Sequence, residues 1–384
     1  MKPITTFVRH NGIKVLLAAE KGIRNISQKK LCGNLYDIEP KYVGTSVKII
    51  KETNDTSYIA KYTSSGKIDS GDFKILVTTD LHLGDDMTLT RKALSMLARH
   101  VADEKPDLIL FTGDVVLSAC QQIDAIQFGS FMEKMGVHWA YVFGNHEARD
   151  EKEYHKYFLM KNLSSFPLCL SKIGDENLFG YGNFIINIMN SEKSIKQSLF
   201  FFDSGRDIIN KYRLEYNVPK DVRGYDFIKK NQMNWYQNNL EKFENEYGDF
   251  KSMMFMHIPI PEFAIPMNFD EETSVGTPNG KGKIIYGGMY ESVGCSRFNS
   301  GLFELIKKLG NTHAVFSGHD HVNDYCALYD GVYLVYAQCD GYETYTLEEK
   351  TGWSEDKWVQ GVTMVDLHGD CTIDIRQRFN RDYL

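Results

Sequence analysis

The segment FKILVTTDLHLG, residues 73–84, decides the fold that the sequence predicts. Its first half is a short, continuous apolar run, which is the pattern of a strand buried on both faces of a sheet. The run ends at Asp80, and His82 follows two positions later. Side chains at i and i+2 point the same way in extended chain, so a carboxylate and an imidazole are expected to face one place at the end of this strand.

The next segments repeat the pattern of an apolar run that ends on polar side chains. Residues 88–107 have apolar side chains at helical spacing and a proline near the end, which predicts a helix. A second apolar run, DLILFTGD, ends at Asp114, and a second helical segment follows it. A third run, HWAYVFGNHE, ends in Asn145, His146 and Glu147. Strand–helix–strand alternation of this kind predicts a layered α/β domain.

Further apolar runs follow later in the chain. The run KSMMFMHIP leads to His257, and the run HAVFSGHDH leads to His319 and His321. Between them, residues 268–300 hold six glycines and little periodicity. A long surface excursion is expected there, of the kind that can form a lid over a site.

The first 70 residues differ in character from the rest. The stretch SVKIIKETNDTSYIAKY mixes polar and apolar residues around a Thr-Asn-Asp turn, as in an antiparallel hairpin. Residues 1–70 are therefore predicted to form a β-rich N-terminal segment or small domain, and residues 71–384 the main α/β domain. Residues 1–70 carry a net charge of +6 and the remainder −13. An acidic main domain is a poor match for a nucleic acid, so no nucleic-acid partner is expected.

The composition is that of an ordinary globular protein. The chain has 384 residues, of which 42% are hydrophobic and 25% charged. No apolar stretch approaches the roughly 20 residues that a membrane helix needs, and no signal peptide is evident at the N-terminus. The seven cysteines never occur as C-x-x-C. These features predict a cytoplasmic protein with reduced thiols and without a membrane partner. Its oligomeric state is left open.

The polar strand ends together predict a metal site. They are Asp80, His82, Asp114, Asn145, His146, Glu147, His257, His319 and His321. Side chains at the carboxyl ends of several strands meet at one edge of an α/β sheet. Carboxylate and imidazole ligands without thiolate suit manganese, zinc or iron. The donors are too many for one four-coordinate ion, whereas two ions about 3.5–4 Å apart are the usual arrangement for phosphoryl transfer to water.

The order of these motifs resembles that of the calcineurin-like metallophosphoesterase superfamily. Asp-x-His, Gly-Asp, Gly-Asn-His-Glu, a single His and Gly-His-x-His follow one another in the family's order, over roughly residues 73–345. The stretches FFDSG, HIPIPEF and AVFSGHDHVNDYC resemble one branch, the purple-acid-phosphatase-29-like proteins and the related yeast cell-cycle regulator phosphatases. The resemblance implies a four-layer α/β/β/α sandwich.

The resemblance also implies a role for each strand-end residue. The first metal ion would be held by Asp80, His82 and His321, and the second by Asn145, His257 and His319, with Asp114 bridging the two. His146 would meet the phosphate and the leaving group without binding a metal. A metal-bound hydroxide would attack phosphorus in line, and His146 would stabilise or protonate the departing oxygen.

The expected function is therefore that of a binuclear metal-dependent phosphoesterase. A phosphomonoesterase fits best, acting on a phosphorylated small molecule or as a phosphoserine or phosphothreonine protein phosphatase. Two alternatives stay open: a phosphodiesterase or nuclease with the same metal site, and a non-catalytic metal-binding scaffold. Scaffolds of this kind usually lose ligands, whereas here every ligand position is filled.

One position departs from the purple acid phosphatase pattern. Those enzymes carry a tyrosine three residues after the bridging aspartate, and Leu117 stands at that position here. No tyrosinate-bound ferric iron is expected, so the protein should be colourless and use manganese, zinc or iron(II). Candidate substrate contacts lie in non-periodic segments that can border the cleft. They are Arg206, Tyr225, Glu262, Glu291 and Arg297, in addition to Asn145 and His146.

Overall fold

The computed structural model describes residues 38–84, 86–118, 121–147, 153–354 and 357–383. Within these ranges the strands are β1 (Val47–Glu52), β2 (Thr56–Lys61), β3 (Phe73–Thr78), β4 (Leu108–Phe111), β5 (His138–Tyr141), β6 (Phe184–Ser191), β7 (Ser194–Phe201), β8 (Lys251–Phe255), β9 (Met267–Asp270), β10 (Val275–Pro278), β11 (Lys283–Tyr286), β12 (Thr312–Ser317), β13 (Cys326–Tyr329), β14 (Val332–Tyr336), β15 (Gly361–Leu367) and β16 (Ile373–Phe379). The α-helices are α1 (Met87–Glu104), α2 (Gln121–Met135), α3 (Glu153–Leu163), α4 (Asn210–Glu215), α5 (Lys230–Tyr247), α6 (Leu302–Leu309) and α7 (Leu347–Thr351).

Most of the strands belong to two sheets. The larger has nine strands in the order β1-β2-β6-β7-β8-β12-β14-β13-β11, and the smaller has five in the order β16-β15-β3-β4-β5. Strands β3, β4 and β5 run parallel to one another, as do β7, β8, β12 and β14. Parallel neighbours end at the same edge of a sheet, so each sheet gathers several strand ends at one place.

The apolar faces of the two sheets form the interior of the molecule. Four phenylalanines on neighbouring strands of the large sheet stack in a row: Phe184, Phe201, Phe255 and Phe316. The ring centroids of successive phenylalanines in the row are 4.3, 5.0 and 4.9 Å apart, and the ring planes are nearly parallel. The side chains that share this core from the small sheet include Ile75, Val77, Leu108 and Leu110. Burial of large aromatic rings makes this row a major contribution to stability.

Helices cover the outer faces of both sheets. Helix α5 packs Tyr236, Leu240 and Phe243 into a second apolar core beside the large sheet, and α6 joins the same core. On the small sheet, Phe128 of α2 makes an edge-to-face contact with Phe111 of β4, at 5.1 Å between ring centroids. The layers therefore run helix, sheet, sheet, helix, and the predicted four-layer α/β/β/α sandwich is confirmed.

Helix α1 shows why these segments end where they do. The Asp86 side chain accepts hydrogen bonds from the backbone N–H groups of Thr88 and Leu89, at 2.8 and 3.2 Å, and so caps the first turn. The helix ends at Glu104, and the left-handed backbone of the next residue, Lys105, φ 49°, turns the chain before Pro106. The apolar stripe between these ends is buried, as its spacing predicts.

The segment 268–300 differs from the expectation of a surface excursion without regular structure. It contains three short strands: β10 pairs with β9, and β11 pairs with β13 at the edge of the large sheet. Each strand is four residues long. A strand this short offers too few alternations for a hydrophobic period to stand out, which explains why the sequence pattern missed it.

The prediction of a β-rich segment over residues 1–70 can be compared with the structure from residue 38 onward. Residues 1–37 lie outside the described residues. The predicted hairpin is present as β1 and β2, which pair antiparallel on either side of the Thr53–Asp55 turn. Strand β2 also pairs in parallel with β6, so this part of the N-terminal segment is the edge of the large sheet.

Two expectations drawn from composition bear on the described residues. None of the described helices is long and apolar enough to cross a membrane. The described cysteines, Cys169, Cys295, Cys326, Cys339 and Cys371, carry free thiols. Cys32 and Cys120 lie outside the described residues.

Candidate metal centre

The predicted ligands meet where the carboxyl ends of both sheets come together. Strands β3, β4 and β5 of the small sheet lead to Asp80, His82, Asp114 and Asn145, and strands β8 and β12 of the large sheet lead to His257, His319 and His321. The sequence placed these strand ends at the edge of an α/β sheet. The structure assembles the site from two facing edges, so that ligands from one sheet point toward ligands from the other.

The backbone at the ligands is not extended. Asp80, His82, Asp114 and His319 have φ angles of 52°, 45°, 49° and 80°, in the left-handed region. The Asp80 and His82 side chains do converge, as predicted. The predicted cause, alternation along an extended strand, is wrong, because the backbone at both residues is left-handed. Aspartate and histidine tolerate this region better than most residues, yet such conformations persist only when the surroundings enforce them.

Hydrogen bonds between the strand-end loops enforce this backbone. The N–H of Asp80 donates to Gly113 O, and the N–H of His82 donates to Asp114 O, both at 3.0 Å. Gly113 itself has φ 105°, and a Cβ there would lie 2.6 Å from Gly144 N. A Cβ at Gly144 would lie 2.1 Å from Asp114 Oδ1. Only glycine leaves room for the loops to pack this closely beside the ligands.

Two acids beside the ligands act as local supports. Glu147 is buried and accepts hydrogen bonds from the backbone N–H groups of Asp114, Val115, Val116 and Gly144, at 2.7–3.2 Å. Burial, followed by the nearby charge of Asp114, raises the pKa of Glu147 to about 7. Asp320 lies between two predicted ligands in sequence, but its carboxylate accepts hydrogen bonds from Gly294 N, at 3.0 Å, and from the Tyr336 hydroxyl. Neither acid belongs to the ligand clusters described next.

The first cluster consists of Asp80, His82 and His321. Asp80 Oδ1 lies 3.4 Å from the Nε2 atoms of both histidines. The two Nε2 atoms lie 3.0 Å apart. One carboxylate oxygen and two imidazole nitrogens, all from buried residues, therefore converge on one place.

The second cluster consists of Asp114, His257 and His319. Asp114 Oδ2 lies 3.1 Å from His257 Nε2, which in turn lies 3.3 Å from His319 Nδ1. Asn145 Oδ1 lies 3.0 Å from the same His257 nitrogen and adds an amide oxygen to the cluster. Asn145 and His319 are partly exposed, so this cluster is the more open of the two.

Asp114 lies between the clusters. Its Oδ2 atom is 3.9 Å from His82 Nε2 in the first cluster, as well as 3.1 Å from His257 Nε2 in the second. Asp80 Oδ1 is likewise 3.9 Å from His257 Nε2. Two adjacent sets of donors with a carboxylate between them match the ligand set expected of a two-metal site.

The electrostatics of the residues fit two cations. Asp80 Oδ1 and Asp114 Oδ2 are buried and face the histidine nitrogens of the two clusters at 3.1–3.4 Å. A buried carboxylate is costly without positive charge beside it, and a cation supplies that charge. Burial lowers the pKa of His257, but Asp114 and Asp80 outweigh it and raise the value to about 10. In the metal-free protein the two carboxylates therefore favour a proton on His257. A metal ion would take the place of that proton, because an imidazole that binds a metal must be neutral.

His146 lies beside the clusters and belongs to neither. Its backbone N–H donates to Asp114 Oδ1 at 2.7 Å, and its Nε2 atom is 3.8 Å from Asp114 Oδ2. Its ring meets the His82 ring edge to face, at 5.1 Å between centroids. The side chain is 26% exposed, so one part of the ring faces the open side of the site. This position is compatible with contact to a substrate.

The other candidate substrate contacts divide into near and distant residues. Tyr225 packs edge to face on His319, with ring centroids 4.3 Å apart. Glu291 reaches the ligands through Tyr345, whose hydroxyl donates to the Glu291 carboxylate at 2.8 Å. Arg206 pairs with Asp207 at 3.0 Å, Glu262 accepts a hydrogen bond from Asn299 at 2.7 Å, and Arg297 is exposed. The structure thus brings only Tyr225 of this group against a predicted ligand.

Sequence reasoning missed two residues that contact His321. Thr344 Oγ1 lies 2.6 Å from His321 Nδ1, and the Tyr345 ring stacks on the imidazole. Neither residue belongs to one of the ligand motifs along the chain. Their position was the available clue, because they follow β14, a parallel neighbour of β12 that ends at the same edge of the large sheet.

The fold and the paired ligand clusters define a protein of the metallophosphoesterase class. The chain belongs to the calcineurin-like phosphoesterase family, whose model matches residues 73–323. "Probable inactive purple acid phosphatase 14" of Arabidopsis thaliana is 31% identical over 74% of this chain and 73% of its own length. "Phosphatase DCR2" of Saccharomyces cerevisiae is 31% identical over 67% of this chain and 45% of its own length. The resemblance to this branch of the family is confirmed.

A solved structure supports the fold independently. A dimetal phosphatase from Danio rerio superimposes with a TM-score of 0.51 over 80% of this chain and 96% of its own. The two sequences are 13% identical, so the likeness concerns the arrangement of the two sheets and their helices.

Proposed function

We propose that this protein is a two-metal phosphomonoesterase. The observation that carries the proposal is the pair of adjacent ligand clusters, Asp80–His82–His321 and Asp114–His257–His319. All six residues are of types that ligate manganese, zinc or iron, and Asn145 adds a seventh donor. Two cations held there supply charge that binds phosphate oxygens and lowers the pKa of a water molecule.

Three residues at the site have distinct proposed roles. Asp114, between the clusters, is the residue that would hold both ions. His146 is the proton donor to the leaving oxygen, because it is next to Asp114, outside both clusters and partly exposed. Tyr225, packed on His319, borders the organic part of the substrate. The substrate is a phosphorylated small molecule or a phosphoserine or phosphothreonine protein.

The metal pair follows from the ligands. Leu117 stands where purple acid phosphatases have tyrosine, so we propose manganese, zinc or iron(II) without a tyrosinate ligand. Of the described tyrosines near the clusters, Tyr345 directs its hydroxyl to Glu291 rather than to a candidate ligand atom. A protein loaded with these metals would be colourless or pale.

A second candidate function is metal binding without catalysis. It is favoured by one observation, the name of the Arabidopsis relative, which describes that protein as probably inactive. The complete ligand set of this chain and the presence of His146 favour catalysis instead.

Metal analysis combined with a substrate panel tests the proposal. The protein would be purified without chelator, its metals counted, and activity measured after reloading with Mn²⁺, Zn²⁺ or Fe²⁺. The panel includes nitrophenyl phosphate, a sugar phosphate, a phosphoserine peptide and bis-nitrophenyl phosphate. We expect two ions per chain and turnover of monoesters that His257→Asn abolishes. Two bound ions with no turnover would establish the scaffold alternative, and preference for the diester would establish a phosphodiesterase.

A further inference from the structure

A short segment after β14 supports one histidine ligand from behind. We refer to residues 340–346 as the strap. Thr344 Oγ1 lies 2.6 Å from His321 Nδ1. The ring of Tyr345 stacks on the His321 imidazole, with centroids 4.6 Å apart and planes 9° apart. One strap residue therefore holds the edge of the imidazole, and the next holds its face.

The Thr344 contact fixes the orientation of the His321 ring. His321 Nε2 points toward Asp80 Oδ1 and His82 Nε2, at 3.4 and 3.0 Å, and is the nitrogen that can bind a metal. A neutral imidazole that ligates through Nε2 carries its hydrogen on Nδ1. With Nε2 bound to a metal, the Thr344 hydroxyl is placed to accept that hydrogen, and the contact fixes the orientation of the ring.

Tyr345 is itself held in place on two sides. Its hydroxyl lies 2.8 Å from both carboxylate oxygens of Glu291. The Lys350 ammonium lies 4.3 Å from the centre of the Tyr345 ring and 3.4 Å from Glu291 Oε2. The stacking surface under His321 is therefore a fixed one, because hydrogen bonding and cation–π contact both restrain the ring.

The strap is anchored to the rest of the fold at both of its ends. Near its start, Asp340 accepts a hydrogen bond from Asn380 at 2.6 Å. In its middle, Glu343 accepts hydrogen bonds from the N–H of Asp86 and the hydroxyl of Thr90, at 3.0 and 3.1 Å, at the beginning of α1. Its end, Thr346, caps α7. The strap therefore has the rigidity that a support needs.

The second cluster is held differently. His257 Nδ1 lies 2.9 Å from the backbone carbonyl of Thr112, a support that no side-chain substitution removes. We propose that Thr344 and Tyr345 are positioning residues that set the affinity of the first cluster for its ion and leave the affinity of the second cluster unchanged. This inference rests on the metal centre of the proposed function and does not depend on catalysis.

Matched substitutions at Thr344 test the inference. Thr344→Val keeps the shape and removes the hydroxyl, whereas Thr344→Ser keeps the hydroxyl. Metal-stripped protein would be titrated with Mn²⁺, with bound metal counted and electron paramagnetic resonance used to distinguish isolated from spin-coupled ions. We expect Thr344→Val to weaken one of the two binding steps by about 10–100-fold, with isolated Mn²⁺ accumulating at intermediate concentrations. Thr344→Ser should behave like the original protein.

A second pair of substitutions separates stacking from hydrogen bonding. Tyr345→Phe keeps the ring and loses the bond to Glu291, whereas Tyr345→Leu loses the flat surface as well. The larger loss of affinity is expected in Tyr345→Leu, again in one binding step only. Unfolding curves of the metal-free variants show which of them fold, and a folded Thr344→Val or Tyr345→Leu protein is sufficient for the test.

The outcomes distinguish this inference from the proposed function. If the original protein binds two coupled ions and Thr344→Val does so with equal affinity, the inference is overturned while the metal centre stands. Equal weakening of both ions in Thr344→Val would overturn the selectivity for the first cluster. If the original protein binds none of Mn²⁺, Zn²⁺ and Fe²⁺, both proposals fall together.

Discussion

The interior of the sandwich and the carboxyl edge of its sheets differ in the residues they contain and in their effect on stability. In the interior, the phenylalanine row that contains Phe201 and Phe255 packs ring on ring with no polar atom to satisfy. At the edge, strands β3 and β4, whose apolar side chains belong to the same core, lead to the buried carboxylates of Asp80 and Asp114 and to left-handed backbone. The interior favours folding, whereas the edge opposes it.

This contrast separates stability from function along each strand. Desolvated charge and left-handed backbone cost free energy, and proteins retain them where the site requires them. Substitutions at the edge should therefore remove metal binding and activity without lowering the stability of the metal-free protein. Substitutions in the interior should lower stability and leave the chemistry of the folded fraction intact.

The strongest test of the contrast is Asp114→Asn. Asparagine tolerates the left-handed backbone and keeps an oxygen for the His146 N–H, but it removes the charge between the clusters. Turnover should fall by about 10⁴-fold or more, because several kcal/mol of charge stabilisation are lost with the metals. Metal content and turnover would be measured together.

Stability measurements complete this test. The metal-free variant should unfold at the same temperature as the metal-free original protein, or higher. Added Mn²⁺ should stabilise the original protein by about 2.7 kcal/mol at 100 times its dissociation constant, and should stabilise the variant far less. A variant that binds two ions tightly and turns over normally would show that Asp114 does not bridge them.

The next test concerns His146, which is at the edge but outside the clusters. His146→Ala should retain both metals and lose about 10²–10⁴-fold in kcat/KM on a serine or sugar phosphate, whose leaving oxygen needs a proton. The loss on nitrophenyl phosphate should be much smaller, because nitrophenolate leaves without help. Equal losses on both substrates would assign His146 to phosphate binding, and loss of metal would make it a ligand.

An interior substitution probes the other side of the contrast. Phe201 stacks between Phe184 and Phe255 and is fully buried. Phe201→Ala should lower the free energy of unfolding by about 3–5 kcal/mol, and Phe201→Leu by less, since leucine leaves a smaller cavity. Urea unfolding of the metal-free proteins measures both. The folded fraction of Phe201→Ala should still bind two ions, and failure to do so would link the interior to the site.

The smallest expected effect comes from His313, a partly buried ionisable group near the start of β12 and at the opposite end of that strand from the ligands. Burial, followed by the charge of Lys251, lowers the pKa of His313 from 6.5 to about 4. Between these pH values the unfolded chain binds a proton that the folded protein does not, so stability falls as pH decreases through this window.

Substitution isolates the contribution of His313. His313→Gln should reduce the loss of stability between pH 7 and pH 4 by about 2 kcal/mol, with no change in metal binding. Unfolding of both metal-free proteins at the two pH values gives the comparison. An identical pH dependence would show that His313 is protonated in the folded state, and that burial alone does not suppress charge in this region.

Much of this organisation follows from local sequence pattern. The apolar runs predicted β3, β4, β5, β8 and β12, and each run is followed within a few residues by a side chain of a type that ligates metals. Hydrophobic period and ligand chemistry are local properties, and both can be seen in a single stretch of chain. The ligand types together with their order along the chain were therefore sufficient to indicate the family and to name the residues that meet at the site.

Tertiary structure alone decided how these pieces meet. The site lies between two sheets, and the left-handed backbone at Asp80 and Asp114, rather than strand alternation, directs the ligands inward. The strap contacts join the predicted ligand His321 to Thr344 and Tyr345, which lie outside the ligand motifs of the sequence. The short strands within 268–300 also escaped the sequence pattern. The physical reason is common to these cases: an apolar run specifies that a segment is buried, whereas its neighbours are selected by packing between segments far apart in the chain.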